Sequence, residues 1–99
     1  MNRTIAGFDW DHGNRQKCLK HGVSLREIEE LFTDGPRVAP DLAHSSAEDR
    51  LIAAGRTRAG RALFVAFTFR EKSGAIYIRP ISARYMHRKE IEAYEKKSP

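Results

Sequence analysis

The 99-residue chain has little of what several protein classes require. It holds one cysteine, Cys18, which excludes an internal disulfide and fits a reducing, cytoplasmic setting. No apolar run approaches the roughly 20 residues that a membrane-spanning helix needs, and no signal peptide is recognisable. Also absent are a glycine-rich phosphate loop, a nucleophile elbow and a dinucleotide fingerprint. Cys18 and His21 have ligand-like spacing, and His12 or His44 could join them. Without a second cysteine or a paired spacing, however, no metal ligand set is expected, and no cofactor. Repeats, low-complexity segments and linkers are likewise missing, so residues 1–99 read as one domain.

What is present is positive charge, unevenly placed. Residues 1–50 carry seven Lys/Arg against nine Asp/Glu, whereas residues 51–99 carry eleven against four. A basic second half suits a polyanion or an acidic protein partner.

The hydrophobic pattern gives the element order. Ile5 to Trp10 reads as a first strand and residues 14–21 as a short helix, with Gly22 suited to the left-handed position after it. Ser24 and Glu27 form a capping box, and Val23 and Ile28 a hydrophobic staple. Leu25, Ile28, Leu31 and Phe32 make one helical stripe that Asp34-Gly35-Pro36 ends. The period then becomes two. Brief strands are expected at Arg37–Ala39 and Arg50–Ala54, separated by a polar loop. The strongest strand is Arg61–Phe69, apolar on both faces and so expected mid-sheet. Ala75–Ile81 is the last, and His87–Lys97 a charged terminal helix. Strand, two helices, an antiparallel meander of three to four strands and a C-terminal helix make an α+β architecture.

Four polar clusters carry the candidate chemistry. Lys17 and His21 share a helical face with Lys20 nearby: lysine neutralises phosphate, and histidine moves protons near neutral pH. His44-Ser45-Ser46 with Glu48 and Arg50 combines acid–base and cationic groups on a loop. Arg79, Ser82, Arg84 and Tyr85 bring two arginines, a hydroxyl and a stacking ring to the end of the last strand. Pro80, lacking an N–H, implies an edge strand or a bulge there. Arg56, Arg58 and Arg61 surround a hairpin turn, as a solubilising or phosphate-touching rim. Each cluster also has a plainer reading as solvated charge or as arginines meeting surface carboxylates. No helix-turn-helix signature supports a DNA-binding repressor.

Three blocks of sequence carry a resemblance. Phe8-Asp9-Trp10-Asp11, Lys20-His21-Gly22-Val23-Ser24 and Leu31-Phe32 open the chain. His44-Ser45, Glu48-Asp49-Arg50, Gly55-x-Thr57 and Gly60-Arg61-x-Leu63 follow, and Ile78-Arg79-x-Ile81-Ser82-Ala83-Arg84 closes it. Together they resemble the BrnT family of toxins, over nearly the whole chain. Cys18 departs from the pattern, standing where an asparagine is expected.

The resemblance implies a RelE-like fold, ribonuclease activity that arrests translation, and a DNA-binding, BrnA-like antitoxin in a toxin–antitoxin hetero-oligomer. The residue chemistry then suggests a metal-independent endoribonuclease in which the RNA's 2′-hydroxyl attacks the adjacent phosphate. His21 or Glu48 would be the base and Arg79 and Arg84 the phosphate clamp. Lys17, Lys20, Arg50, Arg61, Ser82 and Tyr85 would contact RNA, and His44 is a candidate acid. The competing expectation is a non-enzymatic protein of the same fold that docks an antitoxin or poisons a host enzyme.

Overall fold

The computed structural model describes residues 4–44 and 49–97. Five strands form one sheet: β1 (Ile5–Phe8), β2 (Arg37–Pro40), β3 (Leu51–Arg56), β4 (Ala62–Lys72) and β5 (Ala75–Tyr85). Their spatial order is β1-β5-β4-β3-β2, so the four strands after the helices make the expected antiparallel meander. β1 adds to its far edge in parallel with β5, which makes the sheet mixed. β4 is central, flanked by β5 and β3, as its two apolar faces predict.

The helices are α1 (His12–Leu19), α2 (Leu25–Thr33) and α3 (Arg88–Lys96). α1 starts two residues before its expected position, because Asp11 and Asn14 form a capping box that the apolar pattern does not reveal. Asp11 Oδ1 accepts from the Asn14 backbone at 2.9 Å, and the Asn14 side chain accepts from the Asp11 backbone at 2.7 Å. α2 has the expected box: Glu27 N donates to Ser24 Oγ and Ser24 N to Glu27 Oε1. Between the helices Gly22 adopts φ +85°, closing α1 in the left-handed conformation.

One face of the sheet is buried under α1 and α2. Val23, Ile28 and Leu31 pack against Ala53, Leu63, Val65 and Phe67, all at most 2% exposed. Phe32 meets Phe67 edge-on at 4.8 Å. Cys18, expected half-buried, is fully enclosed in this core. α3 lies toward the opposite face, where Ala93 and Tyr94 share a cavity with Ile52, Ala54 and Phe64, and none of its residues is buried.

β5 is longer than expected. Instead of leaving the sheet at Ile81 it continues to Tyr85, paired with β4 throughout. Phe67 pairs with Pro80 while the adjacent Ala66 pairs with Ser82, so Ile81 is the extra residue of a β-bulge. The bulge falls where Pro80 cannot donate to a ladder. Asn14, buried on α1, donates to Pro80 O and to Asp9 O, both at 2.9 Å. This ties α1 alongside the second half of β5, beyond the end of β1.

Candidate nucleic-acid interface

The bulge decides which side chains meet. Arg79 and Arg84 are five residues apart, an odd separation that puts side chains on opposite faces of a regular strand. With one residue inserted, both share a face. Arg79 pairs with Thr68, Ser82 with Ala66 and Arg84 with Phe64, three β4 residues at alternate positions. The same face receives Ile52 and Ala54 from β3. This is the side away from α1 and α2.

Besides the cavity under α3, two cavities indent it beside β5 and the α1 side of the sheet. The larger, about 520 Å³, is lined by His21, Arg50, Phe64, Ser82, Arg84 and Glu90 among others. The second, about 300 Å³, is lined by Asn14, Lys17, Arg50, Thr68, Arg70 and Arg79 among others. Arg50 lines both, so the two hollows adjoin, and together they make up the groove. Lys17, on α1, lines the second cavity, whereas His21, in the turn after α1 ends at Leu19, lines the larger one, so the two do not share the helical face that their spacing suggested.

The cations of the groove differ in their partners. Arg79 is largely neutralised: Nη2 meets Asp11 Oδ2 at 2.7 Å and Nη1 meets Asp9 Oδ2 at 3.3 Å. Asp9 is 9% exposed at its side chain and also binds Lys72 Nζ at 2.7 Å. The hydrogen bond from Lys72, together with the two nearby cations, holds the Asp9 carboxyl below its usual range despite burial. Thus the plainer reading of Arg79, an arginine meeting carboxylates, describes its observed contacts.

Arg84 is held differently. Its Nη1 and Nη2 meet Glu90 Oε1 and Oε2, both at 2.8 Å, and Nη1 also reaches Tyr85 O at 3.3 Å. A guanidinium has five N–H donors, so three are used. Those left over, on Nε and Nη2, share one edge and form an intact fork. Phe64 supports the group from below, its ring centroid 5.1 Å from the guanidinium carbon. The Arg84 hydrogen bond pulls the Glu90 carboxyl down to about 2, with the His87 backbone N–H assisting. Glu90 is therefore a fixed anion and a poor proton acceptor. Among the described residues, Lys17, Arg50 and Arg70 have no carboxylate partner.

Not every expected residue reaches the groove. Tyr85 pairs with core residue Leu63, so it faces the helices and not the groove. Its hydroxyl donates to Glu27 at 2.8 Å, and Arg61 stacks 3.5 Å above its ring. Arg61 and Tyr85 thus form a separate cluster behind the sheet. Lys20 is exposed and lines neither cavity. Arg56 pairs with Glu95 and Arg58 with Asp34, which fits a solubilising rim. His44 ends a short 3-10 turn, Leu42–His44, while Ser45, Ser46 and Glu48 lie outside the described residues. Arg70 and Glu90 are the residues that the sequence reading passed over. Arg70 alternates in phase with Phe64, Ala66 and Thr68, and that phase was the available signal. Among the described residues no group of three or more His, Cys, Asp or Glu could hold a metal ion, and no helix is long and apolar enough to cross a membrane.

Unpaired cations gathered over an open sheet face define a small α+β protein built to meet an anion. Residues 10–90 match the family described as "Ribonuclease toxin, BrnT, of type II toxin-antitoxin system", and the chain belongs to that family. It is accordingly a ribonuclease toxin, with RNA as substrate and an antitoxin as partner, and the non-enzymatic reading is set aside. No curated protein matches the chain.

Proposed function

We propose that the chain is a metal-independent endoribonuclease of RelE-like fold and that the larger cavity holds the scissile phosphate. The observation that carries this reading is the convergence of His21, Arg50, Ser82 and the free fork of Arg84 on one open hollow. The 2′-oxygen attacks the neighbouring phosphorus, the bond to O5′ breaks, and a 2′,3′-cyclic phosphate remains. His21 would exchange a proton with the 2′-hydroxyl or with the departing O5′; Glu48 and His44 are candidates for the other proton transfer. The Nε/Nη2 edge of Arg84 matches two phosphate oxygens, and Arg50 and Ser82 add a charge and a hydroxyl. Arg79 acts indirectly, by fixing Asp9 and Asp11 and hence the start of α1. Arg61, Tyr85 and Lys20 have no part in this scheme.

Cyclisation by the RNA's own hydroxyl needs no metal, and the groove offers cations in its place. The reaction belongs in the cytoplasm, where a BrnA-like antitoxin would hold the toxin in a hetero-oligomer until release. Single-turnover cleavage of RNA in excess EDTA tests the chemistry. Wild type should cut and leave cyclic phosphate ends, while His21→Gln and Arg84→Ala should be slower by about 10²-fold or more. Activity that vanishes in EDTA and returns with one divalent ion overturns the proposal.

A further inference from the structure

Apart from the shared Arg50, the cations of the smaller cavity touch no reacting group in the cleavage drawn above, yet the cavity concentrates charge. Lys17 reaches it from α1, Arg50 from the start of β3 and Arg70 from β4. None of the three has a carboxylate partner among the described residues, and Arg79 beside them already has two. Like charges around one hollow repel each other, and neighbouring surface carboxylates would ordinarily relieve them. Asp9 and Asp11 are close enough to serve Arg79 and are consumed there. Asp49 shares a neighbouring hollow with Arg70 but forms no ion pair with it, and a cleft lined by charge of one sign concentrates counter-ions, which favours an anion here.

Its position identifies the anion. The cavity lies on the same sheet face as the Arg84 hollow and shares Arg50 with it. From Phe64, opposite Arg84, to Thr68, opposite Arg79, is four β4 residues, or about 13 Å at ~3.3 Å per residue. That distance suits another phosphate of the same extended strand. Resting on the proposed place of the scissile phosphate, we infer that Lys17, Arg50 and Arg70 form a second phosphate subsite. It would grip a flanking phosphate of single-stranded RNA within two nucleotides of the cut. The substrate is therefore a segment of several nucleotides, gripped at its backbone on one side of the cleavage point.

The test uses the full chain and a single-stranded RNA oligonucleotide made uncleavable by one 2′-deoxy sugar at the cut. Affinity is measured over a range of salt. Arg70→Ala should weaken binding about tenfold and lower the log–log salt slope by about 0.7, the value for one phosphate contact on a single strand. Arg70→Lys should keep the slope, and Lys17→Ala should repeat the Ala result from another element. Neutral methylphosphonate linkages, placed one at a time, should cost wild type the same affinity at one flanking position. At that position Arg70→Ala should lose nothing more. Unchanged binding by both Ala variants, or losses that simply add, overturns the subsite. Arg84→Ala in the cleavage assay separates the two readings. If it still cuts at the wild-type rate, the placement of the scissile phosphate fails; if it is inactive while Arg70→Ala binds normally, only the second subsite fails.

Discussion

Arg84 and Glu90 meet end to end, two oxygens against two nitrogens at 2.8 Å, leaving the arginine's side edge unoccupied. The pair orients the cation without filling its Nε/Nη2 fork. Arg84→Ala should therefore lower single-turnover cleavage by about 10²–10³-fold. Arg84→Lys should recover little, since lysine keeps the charge but not the planar fork. Glu90→Gln retains the oxygen that accepts from His87 N while removing a negative charge beside the phosphate. RNA should bind it more tightly, yet the step at saturating protein should slow by roughly 3–10-fold as Arg84 loses its fixed direction. Equal or faster chemistry would mean that Glu90 merely blocks the arginine.

Arg79→Ala should act first on stability. It removes hydrogen bonds to two carboxylates and leaves the nearly buried Asp9 with Lys72 alone. A loss of about 1.5–3 kcal/mol is expected in urea unfolding. Asp9→Asn added to Arg79→Ala should cost less than the sum of the single changes, because it removes the stranded charge.

Acid should weaken the fold through the same carboxylates. Asp9 and Glu90 both titrate lower in the folded chain than in the unfolded one, Glu90 at about 2 against 4.5. Their contribution is fully present above the unfolded values and fades as pH falls through the folded ones. Thermal melts should thus be steady down to about pH 5 and decline from there toward pH 2. The Asp9→Asn and Glu90→Gln variants should each show a shallower decline.

Cys18 should be chemically silent. It is fully buried, and desolvation pushes its thiol up to about 11. Native protein should resist iodoacetamide at pH 8 and react once unfolded in guanidinium. Fast labelling of the native chain would contradict the packing of α1.

Gly55 allows α2 to approach β3. A Cβ built there would lie 2.6 Å from Leu31 Cδ1, within a core too full for that side chain to turn away freely. Gly55→Ala should cost about 1–3 kcal/mol. Leu31→Val in the same chain should return part of it, a coupling that a double-mutant cycle measures directly.

Much of this arrangement was readable in the residues. Ser24 with Glu27 marks α2 unambiguously, and Leu63, Val65 and Phe67 place β4 at the centre. Helical spacing paired Lys17 with His21, but α1 ends at Leu19 and the two line different cavities. What alternation could not reveal was the phase change at Ile81. Without it, Tyr85 and Arg84 seem to leave the sheet together; with it, Arg84 turns to the groove and Tyr85 to Glu27. Nor could the pattern tell that Arg79 meets Asp9 and Asp11, since those contacts join residues 68 and 70 positions apart. Arg70 was overlooked because it sits at the charged end of a strand, where an arginine looks like solvation. The parallel pairing of β1 likewise depends on long-range contact that a four-residue strand does not announce.

α3 hides none of its residues from solvent, and side chains at few points moor it: Glu90 to Arg84, Glu95 to Arg56, and Tyr94 beneath Arg37. A segment so lightly fastened should open on its own, at a free energy well below that of the sheet. Its amides should exchange hydrogen early, while those of β4 wait for global unfolding. The direction of Arg84 is then set by a local equilibrium, and whatever shifts the opening of the last helix also retunes the arginine at the centre of the groove.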